Sequence, residues 1–330
     1  MQKIEFAPLN VPLERRIQTT AVTLFMCIPL LTFLFFYIAT FESLFPLVSA
    51  YCIYLYLDTS PDEGGKGISW FKNLYFFKAL RDFFPVQLKK TVELDPQRNY
   101  IFGYHPHGVI VIGGIINFCS EANAVSQLLP GIYIRLLTLR TNFYIPILRD
   151  IILALGMSSV SREGIETILT QGPGHSVMIV PGGAQETGNA HPGTNDLLIK
   201  KRLGFVRMAL RNGASLVPVF GFGDNDLWNQ VANPPGSTLR KLQEAGKKAT
   251  KIFLPAIFGR GIFNYTVGIL PLRRPVVSVV GRPIDCPHIQ NPTIDDVMKY
   301  HQLYLDELQR LYDAHKDEYL PNRIKDLTFN

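Results

Sequence analysis

Two uncharged, strongly apolar runs dominate the N-terminal part of the chain, at residues 17–41 and 43–57. As a helix rising about 1.5 Å per residue, the first run could cross a hydrocarbon core of roughly 30 Å, whereas the second, at about 22 Å, is short. Pro29 and Pro46 predict a bend in each run. The pattern therefore predicts a membrane hairpin over residues 17–57, formed by two helices or by one span and a re-entrant piece.

Basic residues stand on both sides of this predicted hairpin. They are Lys3, Arg15 and Arg16 before it, and Lys66, Lys72, Lys78 and Arg81 after it. Because positive charge is retained on the cytosolic side of membranes, both flanks are expected to be cytosolic. A signal peptide is disfavoured, since no small-residue cleavage site separates the two apolar runs. We expect a cytosolic segment over residues 1–16, the hairpin over 17–57 and a cytosolic domain over 58–330.

Beyond the hairpin, short apolar runs alternate with helical patterns, which is typical of an α/β fold. Buried strands are predicted at residues 100–102, 176–180, 215–222 and 276–280. A helix is predicted over residues 200–212, ending at Gly213. Near the C-terminus, Thr293 and Asp296 resemble a capping box that starts another helix. An apolar stripe at helical spacing follows it and predicts core packing: Val297, Tyr300, Tyr304, Leu308 and Leu311.

Two further segments, residues 136–157 and 252–271, are apolar but interrupted by arginines and prolines. They are therefore poor candidates for membrane spans. They could lie along a bilayer surface or line a tunnel for an acyl chain, and burial in the core is an equally good interpretation.

Composition narrows the class of partner. The 330 residues are 47% hydrophobic and 18% charged, with a formal net charge of +6. The chain is too apolar for disorder, and its modest basic excess suits a membrane surface or an anionic ligand better than a nucleic acid. The four cysteines lie far apart and indicate neither a disulfide framework nor a zinc motif, so a reducing compartment is expected.

The sharpest local motif is Tyr-His-Pro-His-Gly at residues 104–108, directly after a predicted strand. His105 and His107 make a general base the leading interpretation, because the proline restricts the turn and Gly108 lets a ligand approach the backbone. A metal site is an alternative, but it would need a third ligand, and no HExxH or Cys/His cluster occurs. A purely structural turn is the other alternative.

A glycine-rich turn, Pro-Gly-Gly-Ala-Gln-Glu at residues 181–186, follows another predicted strand. The N–H groups of Gly182 and Gly183 could stabilise an oxyanion, and Glu186 could orient a histidine or receive its charge. The chain has no GxSxG motif and no cysteine in a nucleophile context. Direct attack by a bound hydroxyl is therefore simpler than a covalent acyl-enzyme.

A third glycine-containing run, Gly-Phe-Gly-Asp-Asn-Asp at residues 221–226, lacks the third glycine of a dinucleotide-binding fingerprint. It predicts a loop in which Asp224 and Asp226 face solvent.

Taken together, these motifs resemble the type 2 diacylglycerol acyltransferase family, which includes monoacylglycerol and wax-alcohol acyltransferases. The family's His-Pro-His-Gly stands at residues 105–108, its GGxxE at residues 182–186, and its long RxGFx(K/R)xAxxxGxx(L/V)VP block at residues 202–218. The resemblance covers about residues 83–287. One departure is Phe83, which stands where the family has a tyrosine, so any hydrogen bond of that phenol is lost.

The resemblance implies acyl transfer from acyl-CoA, as co-substrate, to a hydroxyl of a neutral glyceride, with no other cofactor and no metal. It also implies a mixed sheet flanked by helices like that of glycerophosphate acyltransferases, with the membrane hairpin in front, at the endoplasmic reticulum and lipid droplets. Diacylglycerol is the expected acceptor; monoacylglycerol, a long-chain alcohol, or a non-catalytic lipid-transfer or droplet-coating role are alternatives. Whether the chain forms a homo-oligomer stays open.

The resemblance also suggests roles for individual residues. His107 would take the acceptor's proton, with Glu186 supporting it and His105 beside it, and N–H groups at Gly108, Gly182 or Gly183 would hold the oxyanion. Four basic residues could meet the phosphates of CoA or simply form a solvated face: Lys200, Lys201, Arg202 and Arg207. The related glycerophosphate acyltransferases pair histidine and aspartate as His-x4-Asp. That spacing occurs here only at residues 191–196 and 301–306, and both are interpreted as coincidences.

Overall fold

The structure is a computed structural model that describes residues 4–234, 236–250 and 253–330. The α-helices are α1 (Leu13–Met26), α2 (Ile28–Ile38), α3 (Phe45–Leu57), α4 (Ser69–Lys72), α5 (Tyr75–Phe83), α6 (Ile112–Phe118), α7 (Val125–Leu128), α8 (Leu148–Ala154), α9 (Arg162–Leu169), α10 (Gly204–Asn212), α11 (Thr238–Thr250) and α12 (Ile294–Tyr319). The strands are β1 (Val86–Lys90), β2 (Tyr100–His105), β3 (Tyr133–Thr138), β4 (Ser158–Ser159), β5 (His175–Ile179), β6 (Asp196–Leu197), β7 (Ser215–Phe222), β8 (Asn229–Gln230), β9 (Ile257–Phe258), β10 (Val276–Val280) and β11 (Thr328–Phe329).

A seven-stranded mixed sheet organises the chain, in the order β1-β10-β7-β2-β5-β3-β4. The strands β7, β2, β5, β3 and β4 are parallel, whereas β10 runs antiparallel to β7 and β1 runs parallel to β10. The predicted mixed α/β sheet is therefore confirmed. The strands predicted at residues 215–222 and 276–280 match β7 and β10, while β2 extends three residues beyond its predicted end.

Two hydrophobic cores cover the two faces of this sheet. On one face, α12 packs against β7 through the predicted stripe, in which Tyr304 and Leu308 are fully buried. The predicted capping box is present, since Thr293 Oγ1 accepts from the N–H of Asp296 and the Asp296 carboxylate accepts from the N–H of Thr293. On the other face, α5 and α6 pack with β2 through Phe102 and Tyr104.

The helix predicted from residue 200 begins only at Gly204. The preceding residues form a turn instead, because the N–H of Lys200 donates to Asn330 O and the N–H of Arg202 donates to Ile199 O. The predicted end is confirmed: Gly213 adopts a left-handed conformation, with φ of +61°, and its N–H donates to Leu210 O.

The N-terminal apolar region folds as three helices rather than two. In α1, Ala21 and Val22 are buried in the core with residues of α5, so the second half of this helix packs in the globular body. A 51° bend separates α1 from α2, and Pro29 in the first turn of α2 accounts for the break because it cannot donate a helical hydrogen bond. In the described part of the chain, no single helix is long and apolar enough to cross a membrane; α1 and α2 meet that length and composition only together, as a bent pair.

Candidate active site

The loops that carry the predicted motifs meet at one edge of the sheet. His107 follows β2, the Gly182–Gly183 turn follows its parallel neighbour β5, and Asp224 follows β7. Parallel strands place their carboxyl ends together, and the crevice outside those ends is where open α/β sheets bind ligands. Sequence-distant motifs are therefore brought together by strand order.

The His107 side chain is half-buried, and its ring is fixed through one nitrogen. Nδ1 lies 3.2 Å from the carbonyl oxygen of Gly108 and 3.2 Å from Thr187 Oγ1. A carbonyl oxygen can only accept, so this contact favours the tautomer that carries its proton on Nδ1. Burial lowers the pKa of His107 and so keeps the imidazole neutral, although the hydrogen bond to the Gly108 carbonyl partly opposes this shift. Nε2 is then a lone-pair acceptor suited to general-base work.

The Glu186 carboxylate binds backbone rather than the imidazole. Its Oε2 accepts from the N–H of His107 at 3.0 Å, and its Oε1 accepts from the N–H of Leu198 at 2.7 Å. Burial raises the pKa of Glu186 to about 7, although both hydrogen bonds and the nearby Arg202 oppose the rise. Glu186 therefore contacts His107 through the main chain, and the expected contact with the ring is not formed.

The two glycines of the turn have different surroundings. A Cβ on Gly182 would lie 1.9 to 2.4 Å from the Glu186 carboxyl group, so only glycine leaves room for that carboxylate. The N–H of Gly183 donates to Val180 O at 3.0 Å, which removes it from the expected oxyanion donors. Among the described residues, the N–H groups of Gly108 and Gly182 have no acceptor, and these two remain as candidate donors.

His105 does not lie beside His107. It is the last residue of β2 and is fully buried on the α12 face of the sheet, where its Nε2 lies 2.9 Å from Tyr304 Oη. Burial lowers the pKa of His105 to about 3, so the ring is neutral. The expectation that both histidines share one site is therefore wrong, because the side chain of His105 packs with the second core while His107 lies beyond the strand.

His107 opens on an apolar cavity of about 450 Å³. The residues of the predicted tunnel segment 136–157 form a large part of its wall: Leu136, Leu137, Thr138, Leu139, Asn142, Leu148, Ile151, Ile152, Leu155 and Met157. Phe25, Ile28 and Pro29 close the cavity from the junction of α1 and α2. Several of these residues, such as Leu136 and Ile152, are also buried in the core, so core burial and the tunnel interpretation are both favoured over a surface location. The other segment, residues 252–271, contributes Phe253 and begins outside the described residues.

The predicted CoA-contacting residues lie on the protein surface, and one of them contacts the glycine-rich turn. Lys200, Lys201, Arg202 and Arg207 are all exposed, and none of them lines the apolar cavity. Arg202 comes nearest to the turn, since its Nη2 donates to Gln185 Oε1 at 3.1 Å.

Asp224 is a buried structural acid, which the sequence did not indicate. It accepts from Tyr104 Oη at 2.6 Å and from the N–H of Gly113 at 3.1 Å, and burial raises its pKa to about 7. Asp226 is also partly buried and accepts from the N–H of Gly193. The expectation of two solvated aspartates is therefore wrong, because the loop after β7 turns back over the start of α6.

Other residues of the neighbourhood carry no catalytic geometry. His191 bonds with Asn233 at 3.1 Å and His301 with Ile199 O at 3.2 Å, so neither His-x4-Asp sequence pairs its histidine with its aspartate. The described residues contain no group of three or more His, Cys, Asp or Glu side chains that could hold a metal ion. Thr187, which contacts the His107 ring, lies one residue beyond the glycine-rich motif and had no sequence signal of its own.

The fold and the site define an α/β protein with a neutral imidazole facing an apolar cavity at the carboxyl edge of its sheet. The family model described as diacylglycerol acyltransferase matches residues 35–330. The chain belongs to this diacylglycerol acyltransferase family.

Similar proteins cover nearly the whole chain. Diacylglycerol O-acyltransferase 2 of Dictyostelium discoideum is 44% identical over 99% of this chain and 100% of its own length. Diacylglycerol O-acyltransferase 2B of Umbelopsis ramanniana is 45% identical over 99% and 95%, and 2-acylglycerol O-acyltransferase 1 of Bos taurus is 42% identical over 96% of each chain. Among solved structures, the 1-acyl-sn-glycerophosphate acyltransferase PlsC of Thermotoga maritima aligns with a TM-score of 0.41 and 15% identity over 87% of this chain and 97% of its own.

Proposed function

We propose that this chain transfers the acyl group of acyl-CoA to the free hydroxyl of diacylglycerol and so makes triacylglycerol. The observation that carries the proposal is His107, a neutral imidazole held through Nδ1 at the mouth of an apolar cavity. Family membership and relatives named diacylglycerol O-acyltransferase support the same reaction.

In the proposed mechanism, His107 Nε2 takes the proton of the acceptor hydroxyl while that oxygen bonds to the thioester carbonyl carbon. The resulting oxyanion accepts from the N–H of Gly108 or Gly182, an interaction worth about 3 kcal/mol per donor in related chemistry. The carbon–sulfur bond then breaks, its electron pair leaves with sulfur, and the imidazolium proton passes to the thiolate. Glu186 acts as a positioning residue, because it holds the N–H of His107 and leaves the ring free.

The basic residues at the turn have a proposed role in binding acyl-CoA. Lys200, Lys201, Arg202 and Arg207 are exposed beside the Gly182–Gly183 turn and could pair with CoA phosphates while the acyl chain enters the apolar cavity. Exposed arginine and lysine side chains of this kind are also typical of a solvated surface. Substitution of all four with glutamine separates the two roles: if they bind CoA, the KM for acyl-CoA should rise while the KM for the acceptor stays unchanged.

The proposal places the enzyme on a membrane. Large apolar side chains are exposed along α2 and α3, including Phe33, Phe36, Leu47 and Tyr56, and such a surface suits a bilayer. The α1–α2 junction also lines the cavity, which would let a water-insoluble acceptor enter sideways from the lipid. Within the predicted hairpin of residues 17–57, α1 packs on the globular body, and we place α2 and α3 in the endoplasmic reticulum membrane as a wedge. Residues 1–16 and 58–330 are then cytosolic, with a further pool of the protein on lipid droplets. We also propose that residues 58–330 have a fold like that of glycerophosphate acyltransferases.

The decisive experiment is acyl transfer by membranes that contain the full chain. Labelled acyl-CoA is offered with diacylglycerol, monoacylglycerol or a long-chain alcohol, for the wild type and for His107→Ala. Triacylglycerol should be the main product, and its rate should fall by about 100-fold or more in the variant, as expected for loss of a general base. His288→Ala, which removes an exposed histidine elsewhere, is the matched control and should retain the wild-type rate. An unchanged rate in His107→Ala would exclude the proposed base.

Monoacylglycerol is the second candidate acceptor, because the Bos taurus relative is named 2-acylglycerol O-acyltransferase 1. The same assay separates the two, since the acceptor with the larger kcat/KM is the substrate. If none of the three acceptors yields product while the protein is folded, a non-catalytic lipid-binding role would replace the enzymatic one.

A further inference from the structure

A second cavity, of about 1120 Å³, lies between the N-terminal segment, α1 and the loop that precedes β10. It shares no lining residue with the cavity of His107, although Leu24 lines one and Phe25 lines the other. Four arginines contribute to its wall: Arg15, Arg16, Arg260 and Arg273. The four come from two distant parts of the sequence, so the fold itself assembles this cluster, which we name the arginine cavity.

The hydrogen bonds of three of these guanidinium groups all go to neutral acceptors. Arg16 donates to the carbonyl oxygens of Leu9 and Val11, Arg260 donates to the carbonyl oxygen of Gly261, and Arg273 donates to Gln18 Oε1 and the carbonyl oxygen of Asp82. None of the four forms an ion pair with an aspartate or glutamate among the described residues. The Asp82 carboxylate is bound to Arg81 instead. The cavity therefore concentrates positive charge that the protein itself does not neutralise.

Aromatic rings hold two of these arginines in place. The Arg273 guanidinium lies 4.3 Å from the ring centre of Phe83, and Arg260 lies 4.8 Å from that of Tyr265. Arg260 is only 7% exposed. Burial, together with the charges of Arg15 and Arg260, lowers the pKa of Arg273 to about 10, so the guanidinium groups are close enough to repel one another. Cations held together in this way form a pre-organised anion site.

The rim of the cavity is apolar. Phe6, Leu9 and Phe263 line it and are 72%, 95% and 78% exposed. The rim continues through Leu24 toward the exposed apolar side chains of α2. A ligand that fits both parts has a phosphate at one end and hydrocarbon at the other, which is the chemistry of a membrane phospholipid, and basic pockets beside membrane helices are known to bind such head groups.

We propose that the arginine cavity binds the phosphate head group of an anionic phospholipid drawn from the membrane. A terminal phosphate fits it better than a phosphodiester, because it carries up to two negative charges against four guanidinium groups and offers three acceptor oxygens. The cavity would then bind a phospholipid at a site separate from the proposed acyl-transfer site, with α1 between the two. This assignment does not depend on the proposed function.

The test uses the full chain in nonionic detergent, titrated with dioctanoyl phosphatidate, dioctanoyl phosphatidylserine or dioctanoyl phosphatidylcholine. The three lipids share their acyl chains, so differences in Kd report the head group. The wild type should bind phosphatidate about tenfold or more tightly than phosphatidylserine, and phosphatidate should raise the thermal unfolding midpoint. His107→Ala should bind identically, which separates this site from the proposed active site.

Two variants remove pairs of charges from the cavity. Arg15→Gln/Arg16→Gln changes two exposed side chains and should fold normally, while Arg260→Gln/Arg273→Gln changes the two inner ones. Both should reduce the phosphatidate preference to near unity. Lys241→Gln/Arg282→Gln removes the same net charge from exposed positions outside the cavity and should keep the preference.

Three results would overturn the proposal. The first is equal affinity of the wild type for phosphatidate and phosphatidylserine. The second is a preference that survives unchanged in folded Arg15→Gln/Arg16→Gln protein. The third is full displacement of phosphatidate by millimolar inorganic phosphate or free CoA, which would assign the cavity to a soluble phosphate instead of a lipid.

Discussion

At the scale of single residues, the candidate site depends on hydrogen bonds to the main chain. Glu186 touches the N–H of His107, not its ring, and the ring itself is held by a carbonyl oxygen and a threonine. A carboxylate in direct contact with Nδ1 would raise the pKa of the imidazole, whereas the present arrangement leaves burial as the dominant influence and keeps the ring neutral. The structure thus separates the imidazole of His107 from the carboxyl group of Glu186, which contacts only its main chain.

Gly182 and Gly183 offer a way to test this positioning without changing Glu186. Gly182→Ala keeps an ordinary helical backbone, but its Cβ would displace the Glu186 carboxylate from both N–H groups. Since buried hydrogen bonds to a charged group contribute about 1.5 to 3 kcal/mol each, we expect kcat to fall by about tenfold or more. Steady-state acyl-transfer rates measure the effect.

Gly183→Ala is the matched control. A Cβ at Gly183 meets no atom within 4 Å, so the only cost of alanine comes from the left-handed backbone, with φ of +57°. That conformation should lower the free energy of unfolding by about 1 to 2 kcal/mol. Its thermal unfolding midpoint should fall while kcat at a permissive temperature changes little. Equal loss of kcat in the two variants would contradict the role given to Glu186.

The shifted pKa values predict a specific pH dependence. His107 is neutral down to a pH below its ordinary value of 6.5, so the acid limb of kcat/KM assigned to the base should lie below pH 6.5. Glu186 has a folded-state pKa of about 7, above its ordinary 4.5, so the folded state keeps a proton that the unfolded state loses. Its contribution to the free energy of unfolding should therefore fall as pH rises from about 4.5 to 7. Denaturant unfolding of the wild type and Glu186→Gln checks the sign, because the variant should lack this dependence.

At the scale of the elements, the sequence predicted what depends on local pattern. Buried strands such as β7 and the capped helix α12 were correctly predicted, because periodicity and capping residues act within a few positions. The start of α10 was wrong, since the preceding turn is fixed by pairing with the C-terminal residue Asn330. His105 was wrongly grouped with His107 because His105 is still part of β2 and contacts Tyr304 of α12, whereas His107 lies in the loop beyond the strand.

Asp224 shows what local pattern cannot reveal. Its carboxylate joins the ends of β7 and β2 to the start of α6 through Tyr104 and Gly113. The glycines around it predict a loop, but its burial follows from the packing of that loop over the sheet edge. Similarly, local pattern left residues 136–157 open between a surface, a tunnel and the core, and their place in the cavity wall follows from the packing of α8.

Two substitutions of Asp224 should differ in cost. Asp224→Asn keeps an acceptor for the N–H of Gly113 and a polar partner for Tyr104, and it removes a charge that burial disfavours. We expect its free energy of unfolding to change by about 1 kcal/mol or less. Asp224→Ala leaves the N–H of Gly113 without an acceptor in the core, while Tyr104 Oη keeps its bond with Ser278 Oγ, and should lose about 1 to 3 kcal/mol. Chemical denaturation measures both, and a larger loss in the asparagine variant would contradict the network described here.

At the scale of the whole molecule, the sheet, α8 and the N-terminal helices enclose one apolar cavity with His107 at its polar end. If the acyl chain occupies this cavity, its length limits which acyl-CoA reacts. Ile151 of α8 lines the wall and is half-buried, so Ile151→Trp would fill part of the cavity with little disturbance of the core. We expect kcat/KM for a long-chain acyl-CoA to fall by about tenfold or more relative to a short-chain one, since pocket contacts of this size contribute about 1 to 3 kcal/mol.

The control for this substitution lies on the opposite face of the sheet. Leu303→Trp enlarges an exposed side chain of α12, far from the cavity, and should leave the ratio of the two kcat/KM values as in the wild type. If Ile151→Trp lowers both kcat/KM values equally, the acyl chain does not bind along α8, and the cavity then holds the acceptor instead. A selective loss of kcat/KM with the long-chain acyl-CoA would show that the apolar wall at residues 136–157 limits acyl-chain length. The folding of that segment would then determine which acyl-CoA reacts.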